Sequence, residues 1–336
     1  MAIRFRTAFD YSQVPLLMKS KSAVPYKIPL HIRNGVKRIL SLVHLSDMLI
    51  EVVDSRTPIS GQCTLSESYL PSYKPRITLF NKNDLSEKLE ETEQHLIAQG
   101  LTRDKFVIGR TKLAKKARKV TASTTRTVNQ ILTKVKTHMV GFDSEAEDFK
   151  LLIIGNPNTG KSSLINAMRY VERFKLGEVD RVKKLSVRVG KKPGMTQSVT
   201  TPILVCRDPR ISIFDTPGIL PPSSPDPEVT MKMAAVHSLW DEYVSPDIVA
   251  DFILFSLNLQ QKFDYCNYYE LTSPTDNATE LLTFIAEKRG AKKRSGGWDL
   301  FNAAQVFLKA FRKGELGTIN LDFNLLQQES QININK

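Results

Sequence analysis

One glycine-rich segment of the sequence has the residue types and spacing needed to hold a chain of phosphates. Residues 155–162 read Gly-Asn-Pro-Asn-Thr-Gly-Lys-Ser and match the pattern G-x-x-x-x-G-K-[ST] between a predicted strand and a predicted helix. The glycines let backbone N–H groups turn toward phosphate oxygens, and the helix N-terminus assists them. We expect Lys161 to reach the β- and γ-phosphates and Ser162 to offer its hydroxyl to Mg²⁺. The residues expected to contact the phosphates are Asn156, Pro157, Asn158, Thr159, Gly160, Lys161, Ser162 and Ser163.

A second segment has the residue types that distinguish guanine from adenine. Asn81-Lys82-Asn83-Asp84 follows a predicted strand and matches the pattern N-K-x-D. The carboxylate of Asp84 can accept hydrogen bonds from the ring N–H and the exocyclic amino group of guanine. Adenine has neither donor there, so a buried carboxylate would be left unpaired. We expect Lys82 to lie along the base plane and Asn81 to join this segment to the phosphate loop.

Two further positions complete a predicted magnesium site. Asp215-Thr216-Pro217-Gly218 ends a predicted strand and matches D-x-x-G. We expect Asp215 to hold Mg²⁺ through a water, and the Gly218 N–H to contact the γ-phosphate. Thr196 lies in the loop between the phosphate loop and D-x-x-G, and it is the expected second hydroxyl ligand of Mg²⁺. The ligand that these motifs predict together is GTP with Mg²⁺.

Two segments compete for the contact that such sites usually make with the guanine carbonyl. The first is Thr121-Ala122-Ser123, which precedes a predicted helix. The second is Val107–Arg110, at the end of a predicted strand.

The order of the motifs is unusual. Ordinary small GTPases have the phosphate loop first and N-K-x-D last, whereas here N-K-x-D precedes the phosphate loop. Because domain termini often lie close together, a circular permutation can preserve the site in three dimensions. It also places the end of the G domain just beyond D-x-x-G, so the following region is coupled to the γ-phosphate contact.

The elements that must position these residues alternate between strands and helices. Strands are predicted at 48–53, 76–80, 105–108, 149–154, 202–206 and 211–214. Helical spacing of apolar residues is found at 33–45 and 126–140, and a helix is expected after the phosphate loop. This alternation predicts an α/β fold, a P-loop NTPase of the Ras-like G-domain type with a mostly parallel sheet and helices on both faces.

From Pro227 onward the pattern becomes helical, at 230–240, 247–255, 279–288 and 303–311. We therefore expect a small all-helical C-terminal domain. The predicted divisions are a basic leader at 1–25, the permuted G domain at 26–226, the helical domain at 227–326 and a polar tail at 327–336.

The charge of the chain indicates a polyanionic partner. The 336 residues carry a formal net charge of +13, with basic clusters at 105–119, 173–192 and 288–294. Nucleic acid, a ribosome or an anionic lipid surface would suit such charge, although scattered solvated charges are the bland alternative. The three cysteines are far apart in the sequence, which argues against a disulfide framework or a zinc module and suits a reducing compartment. No apolar run reaches the length of a membrane-spanning helix.

The N-terminal segment has the composition of a mitochondrial transit peptide. Asp10 is its single acid before residue 47, and arginines alternate with Ile3, Phe5 and Phe9. Such an Arg-bearing, acid-poor and amphipathic start is typical of transit peptides. A basic arm that binds RNA is the alternative.

Taken with their order, these motifs resemble the circularly permuted GTPases of the YlqF/RbgA type, and most of all their mitochondrial ribosome-associated members. The resemblance covers almost the whole chain after the leader. Besides the motifs above, it includes D-x-R-x-P at Asp54–Pro58 and P-G-x-T at Pro193–Thr196. In the helical C-terminal region it includes Glu287-Lys288-Arg289-Gly290. The family's F-P-G-H-M segment is represented by Ile28-Pro29-Leu30-His31-Ile32, which lacks the glycine.

The resemblance implies roles for three residues. His31 matches a histidine suspected of assisting catalysis in relatives, and it could equally bind RNA phosphate or be an ordinary surface residue. Asn158 matches a phosphate-loop asparagine that helps bind K⁺ in similar proteins, or is a plain polar loop residue. Ile219 replaces the water-orienting glutamine of Ras-like enzymes, so unaided hydrolysis should be slow.

The resulting expectation is a GTPase that assists assembly of the mitochondrial large ribosomal subunit and binds its rRNA through basic surfaces. Hydrolysis is expected to be slow alone and stimulated by the ribosome. We expect a monomer in the mitochondrial matrix, with peripheral contact to the inner membrane as an option. The alternatives are an RNA-binding scaffold that holds GTP without hydrolysing it, and a signalling or tRNA-modifying GTPase.

Overall fold

A computed structural model describes most of the chain. The described residues are 4–14, 39–62, 71, 73–112, 121–139, 148–177, 202–216, 226–239, 241 and 243–325. Four residues singled out from the sequence, His31, Thr196, Gly218 and Ile219, lie outside these ranges.

Six strands form one sheet. They are β1 (Met48–Asp54), β2 (Arg76–Asn81), β3 (Phe106–Ile108), β4 (Phe149–Ile154), β5 (Ile203–Cys206) and β6 (Ile211–Phe214). Their order across the sheet is β3-β2-β1-β4-β6-β5. All neighbours are parallel except β5, which is antiparallel to β6. The predicted mostly parallel sheet is thus confirmed.

Helices cover both faces of the sheet. The described helices of this part are α1 (Leu89–Ala98), α2 (Ala122–Thr137) and α3 (Lys161–Lys175), and residues 39–45 are also helical. On one face, α2 and α3 pack on the inward side chains of β1, β2, β4 and β6. On the other face, Ile39, Leu42 and Val43 pack on β4 and β6. Because both faces are buried, the strands are continuous apolar runs instead of alternating ones.

The C-terminal region of the chain, from Pro227, folds into a helical domain around its own core. Its helices are α4 (Pro227–Ala235), α5 (Pro246–Leu259), α6 (Asp264–Tyr269), α7 (Ala278–Arg289) and α8 (Leu300–Lys313). Aromatic and aliphatic side chains of all five helices form one buried cluster. The helical C-terminal region was predicted, but α1 and α6 were not. In the part of the chain that the structure describes, no helix is long and apolar enough to cross a membrane.

The loops that carry the motifs meet at one edge of the sheet. Parallel strands β1, β2, β4 and β6 all end there, and each is followed by a motif segment. The chain runs outward from β1 to β3 and then returns to β4, beside β1. In open α/β sheets, ligands bind in the crevice at such a reversal of strand order.

The described part of the predicted leader packs against the helical domain. The Arg6 guanidinium pairs with Asp251 at 2.7 Å and with Asp276 at 3.2 Å. Phe9 contacts the rings of Phe252 and Phe255, and Val14 is buried in the domain core.

Candidate nucleotide-binding site

The predicted phosphate loop has a compact backbone fixed by its own residues. Gly155 and Gly160 have φ angles of +140° and +109°, which side chains with a Cβ rarely allow. The Lys161 ammonium donates to the carbonyl oxygens of Gly155, at 2.9 Å, and Asn156, at 2.8 Å. Lys161 is the first residue of α3, so it lies where the helix N-terminus favours anions.

The guanine-recognition segment touches the phosphate loop directly. The Asn81 side-chain amide donates to the carbonyl oxygen of Thr159 at 2.8 Å. A Cβ on Gly160 would lie 2.2 Å from that same amide nitrogen, so only glycine allows this approach. The two motifs, distant in the sequence, therefore form one site, as the permutation requires.

Of the two candidates for the carbonyl contact, the loop after β3 lies against N-K-x-D. The side-chain Oδ1 of Asn81 accepts from the N–H and hydroxyl of Thr111, both at 3.0 Å. Gly109 exchanges backbone hydrogen bonds with Asn83 and Phe80. Arg110 pairs with Asp84 at 3.4 Å.

Residues Thr121, Ala122 and Ser123 instead begin α2. The Thr121 hydroxyl caps the helix by accepting from the N–H of Thr124, which is a standard N-cap role. The Thr124 hydroxyl donates to the carbonyl oxygen of Lys112, so this segment supports the loop after β3.

The residues expected to hold Mg²⁺ are in contact. The Ser162 hydroxyl donates to one carboxylate oxygen of Asp215 at 3.2 Å. The other oxygen is buried and has no hydrogen-bond partner among the described residues. Burial raises the pKa of Asp215, against the opposing effect of Lys161. A carboxylate and a hydroxyl fit Mg²⁺, which completes its oxygen shell with waters and phosphates. No cluster of three His, Cys, Asp or Glu suited to a metal occurs among the described residues, and this site does not need one.

Similarity to known proteins decides the family. The chain is 34% identical to mitochondrial ribosome-associated GTPase 1 of Ictalurus punctatus over 331 residues, which cover 95% of this chain and 96% of that protein. It is 32% identical to the Bos taurus protein of the same name, with 90% of each chain covered. The chain belongs to this family. It is a mitochondrial protein and a GTP-hydrolysing enzyme.

Two further similarities agree with this family. Residues 150–289 match the model described as "50S ribosome-binding GTPase". The fold is similar to that of GNP-bound YlqF from T. maritima, with a TM-score of 0.53, 21% identity, and 84% of this chain and 95% of that chain covered.

The motif order predicted that the helical region is coupled to the nucleotide site through D-x-x-G, but it did not indicate the direct contact that this GTPase has between its phosphate loop and its helical domain. The Asn158 side-chain amide donates to the carbonyl oxygen of His237 at 2.8 Å. The Ser238 hydroxyl donates to the carbonyl oxygen of Pro157 at 3.0 Å. His237 has a φ of +65°, and burial lowers its pKa to about 4, with Arg312 nearby. Its imidazole is therefore neutral at physiological pH.

A second missed contact joins the helical domain to the segment after β1. Asp322 accepts from the N–H groups of Ile59 and Ser60 and pairs with Lys232 at 3.1 Å. The side chains of Lys232 and Asp322 are 2% and 0% exposed. Burial alone would lower the pKa of Lys232, but Asp322 and Glu228 raise it. No motif marks these residues, because they meet only in the folded chain.

Proposed function

We propose that this GTPase binds the mitochondrial large ribosomal subunit through its rRNA and assists assembly of that subunit. The names of the relatives and of the matching family model support a ribosomal partner. The formal charge of +13 suits an RNA surface. On this proposal the protein acts as a monomer in the matrix, with at most peripheral contact with the inner membrane.

One observation carries the proposal: a basic turn of the helical domain is exposed to solvent. It lies between α7 and α8 and includes Lys292, Lys293 and Arg294, all exposed. The turn is held by paired residues Lys292 and Trp298 and by the hydrogen bond from Lys293 N–H to Gly297. The same domain contacts the phosphate loop at Pro157 and Asn158. RNA bound at this turn would therefore contact the same domain that touches the phosphate loop.

Within the site we assign the base to Asp84 and Lys82 and the phosphates to residues 156–163. Ser162 and Asp215, with Thr196, would hold Mg²⁺, which would neutralise phosphate charge during hydrolysis. The Gly218 N–H would contact the γ-phosphate. For the guanine carbonyl, contacts of the loop after β3 with N-K-x-D favour residues 109–111 over Thr121–Ser123.

Asn158 and His31 are assigned roles that affect the rate of GTP hydrolysis. Asn158 would offer its side-chain oxygen to K⁺, since its amide already donates to the carbonyl of His237; a cation there would offset transition-state charge. His31 would assist hydrolysis or bind RNA phosphate. Ile219 cannot orient water, so we expect the free protein to be slow and the bound protein to be faster.

Phosphate release from GTP tests the proposal, with and without large ribosomal subunits, in K⁺ and in Na⁺ buffer. We expect stimulation by subunits, and a higher rate in K⁺. Turnover that is the same with and without subunits would contradict the assembly role.

A matched pair of charge variants tests the surface. Replacing Lys292, Lys293 and Arg294 by Gln should weaken subunit binding and reduce its salt dependence, by about one unit of log–log slope per lost phosphate contact. The control replaces three exposed basic residues of the G domain, Lys105, Arg126 and Lys136. Equal losses in both variants would show that charge alone, and not this turn, binds RNA.

A further inference from the structure

The D-x-R-x-P segment after β1 holds the lysine of the guanine-recognition motif. The Lys82 ammonium donates to a carboxylate oxygen of Asp54 at 2.7 Å. Asp54 is buried, with a side chain 2% exposed. The backbone of Lys82 has a φ of +63°, which is uncommon for a residue with a Cβ. The ammonium group of Lys82 is therefore held in place by Asp54.

Arg56 fixes the Asp54 carboxylate from the other side. Its guanidinium donates to both carboxylate oxygens, at 2.9 and 2.8 Å, and its backbone N–H donates to one of them at 3.1 Å. Such a two-pronged contact fixes the orientation of a carboxylate as well as its position. The Arg56 residue is 1% exposed, so water does not compete for these bonds.

The helical domain contacts Arg56 in turn. The guanidinium carbon lies 5.5 Å from the centre of the Phe311 ring, on α8, within the range of a cation–π interaction. The backbone carbonyl of Arg56 accepts from the N–H of Leu321 at 2.8 Å. Phe311 and Leu321 thus fix the guanidinium and the backbone of the same residue.

The electrostatics of this cluster agree with a positioning role. Burial works to raise the pKa of Asp54, but the charges of Arg56 and Lys82 outweigh it and lower that pKa well below its usual range. One carboxylate therefore serves two cations. Buried ion pairs of this kind contribute little net stability compared with apolar packing, so stability alone does not account for the cluster.

We propose that Phe311, Arg56 and Asp54 act in series as positioning residues for guanine recognition. Phe311 fixes Arg56, Arg56 fixes the carboxylate of Asp54, and Asp54 holds the Lys82 ammonium beside the base. The affinity for guanine nucleotides then depends on a residue of the helical domain that does not touch the nucleotide. This inference rests on the assignment of N-K-x-D to guanine made above.

Two phenylalanine variants in α8 test whether Phe311 affects guanine-nucleotide binding. Phe311→Leu removes the ring beside Arg56 but keeps an apolar side chain. Phe307→Leu removes a ring that stacks on Tyr269 inside the helical domain; Phe307 and Phe311 are 0% and 2% exposed. With a fluorescent GTP analogue, we expect Phe311→Leu to raise the Kd about threefold and Phe307→Leu to leave it unchanged. Urea unfolding would check that both variants are folded.

A double-mutant cycle with Lys82→Met distinguishes positioning from a general structural role. Lys82→Met keeps the apolar stem and removes the ammonium group, so Phe311→Leu should have no further effect on the Kd in that background. Asp54→Asn, checked for folding by circular dichroism, should weaken binding about tenfold in the wild-type background and not further beside Lys82→Met.

Three results would overturn the inference. They are equal effects of the two phenylalanine variants, no effect of Phe311→Leu, or an undiminished effect of Phe311→Leu beside Lys82→Met. A wild-type protein that binds ATP as tightly as GTP would instead overturn the assignment of N-K-x-D to guanine, and the inference with it.

Discussion

The two sides of the nucleotide site are built in different ways. On the phosphate side, the hydrogen bonds of Lys161 join near neighbours, the carbonyls of Gly155 and Asn156. On the base side, the supporting bonds reach across the chain, from Leu321 to Arg56 and from Ile319 to Leu85. The lysine expected to bind the phosphates is thus held by one short loop, whereas the residues that support the base side contact the helical domain. The phosphate loop also touches that domain, at Pro157 and Asn158.

The largest expected effect is on the phosphate side. Lys161→Ala removes the cation expected at the β- and γ-phosphates, and we expect GTP binding to weaken by about 100-fold or more. Because the contacts of Lys161 are local, circular dichroism should show an unchanged fold. Nucleotide binding close to that of the wild type would remove Lys161 from its role.

A change of base specificity tests the other side. Asp84→Asn should weaken GTP binding by about 10- to 100-fold, because an amide cannot accept from both guanine donors. Xanthosine triphosphate has a carbonyl where guanine has its amino group, so its binding should improve. Competition between the two nucleotides measures both changes, and an unaltered preference would exclude Asp84 from base recognition.

The contact between the helical domain and the segment after β1 can be measured at Asp322. Asp322→Asn leaves the buried Lys232 ammonium without its fully buried partner, and we expect the free energy of unfolding to fall by about 3 kcal/mol. The matched control is Glu315→Gln, in the exposed pair with Lys313, which should cost about 0.5 kcal/mol or less. Similar losses of unfolding free energy in the two variants would show that the buried Asp322 contact stabilises the fold no more than an exposed ion pair does.

The smallest effect is expected at the N-terminal segment. Arg6→Ala breaks half-buried ion pairs with Asp251 and Asp276 and should lower the free energy of unfolding by about 1 kcal/mol. GTP affinity should not change, because this segment packs on the face formed by α5. The same substitution at the exposed Arg4 is the control. A change in GTP affinity in Arg6→Ala would show that the nucleotide site also depends on the N-terminal segment.

The same contrast explains how much the sequence could predict. Strand β6 and the phosphate loop depend on local patterns, and the bounds of β4 and β6 were predicted to the residue. The helix α2 begins at Ala122, four residues before its predicted start at Arg126. The prediction used the spacing of apolar residues, and the N-cap Thr121 is not one of them. The short helix α6 was missed, since six residues are too few to show a helical period.

The long-range contacts could not be predicted in the same way. Nothing near Asp54 in the sequence indicates that Arg56 would lie under Phe311, or that Asp322 would meet Ser60. Each pair joins residues more than 200 positions apart, and such pairs follow from how two domains pack, not from a local pattern. The motif D-x-R-x-P was visible, but its contact with Lys82 appears only in the folded protein.

A crystal structure with Mg²⁺ and a non-hydrolysable GTP analogue would show whether the two motifs bind the same nucleotide. We expect one nucleotide to span the loops that follow β2 and β4, with the Asp84 carboxylate within hydrogen-bonding distance of the guanine ring N–H and amino group. In that same molecule, the Lys161 ammonium would contact the β- and γ-phosphates. A nucleotide whose phosphates lie at Lys161 while its base lies away from Asp84 would show that the two motifs do not form one guanine-nucleotide site.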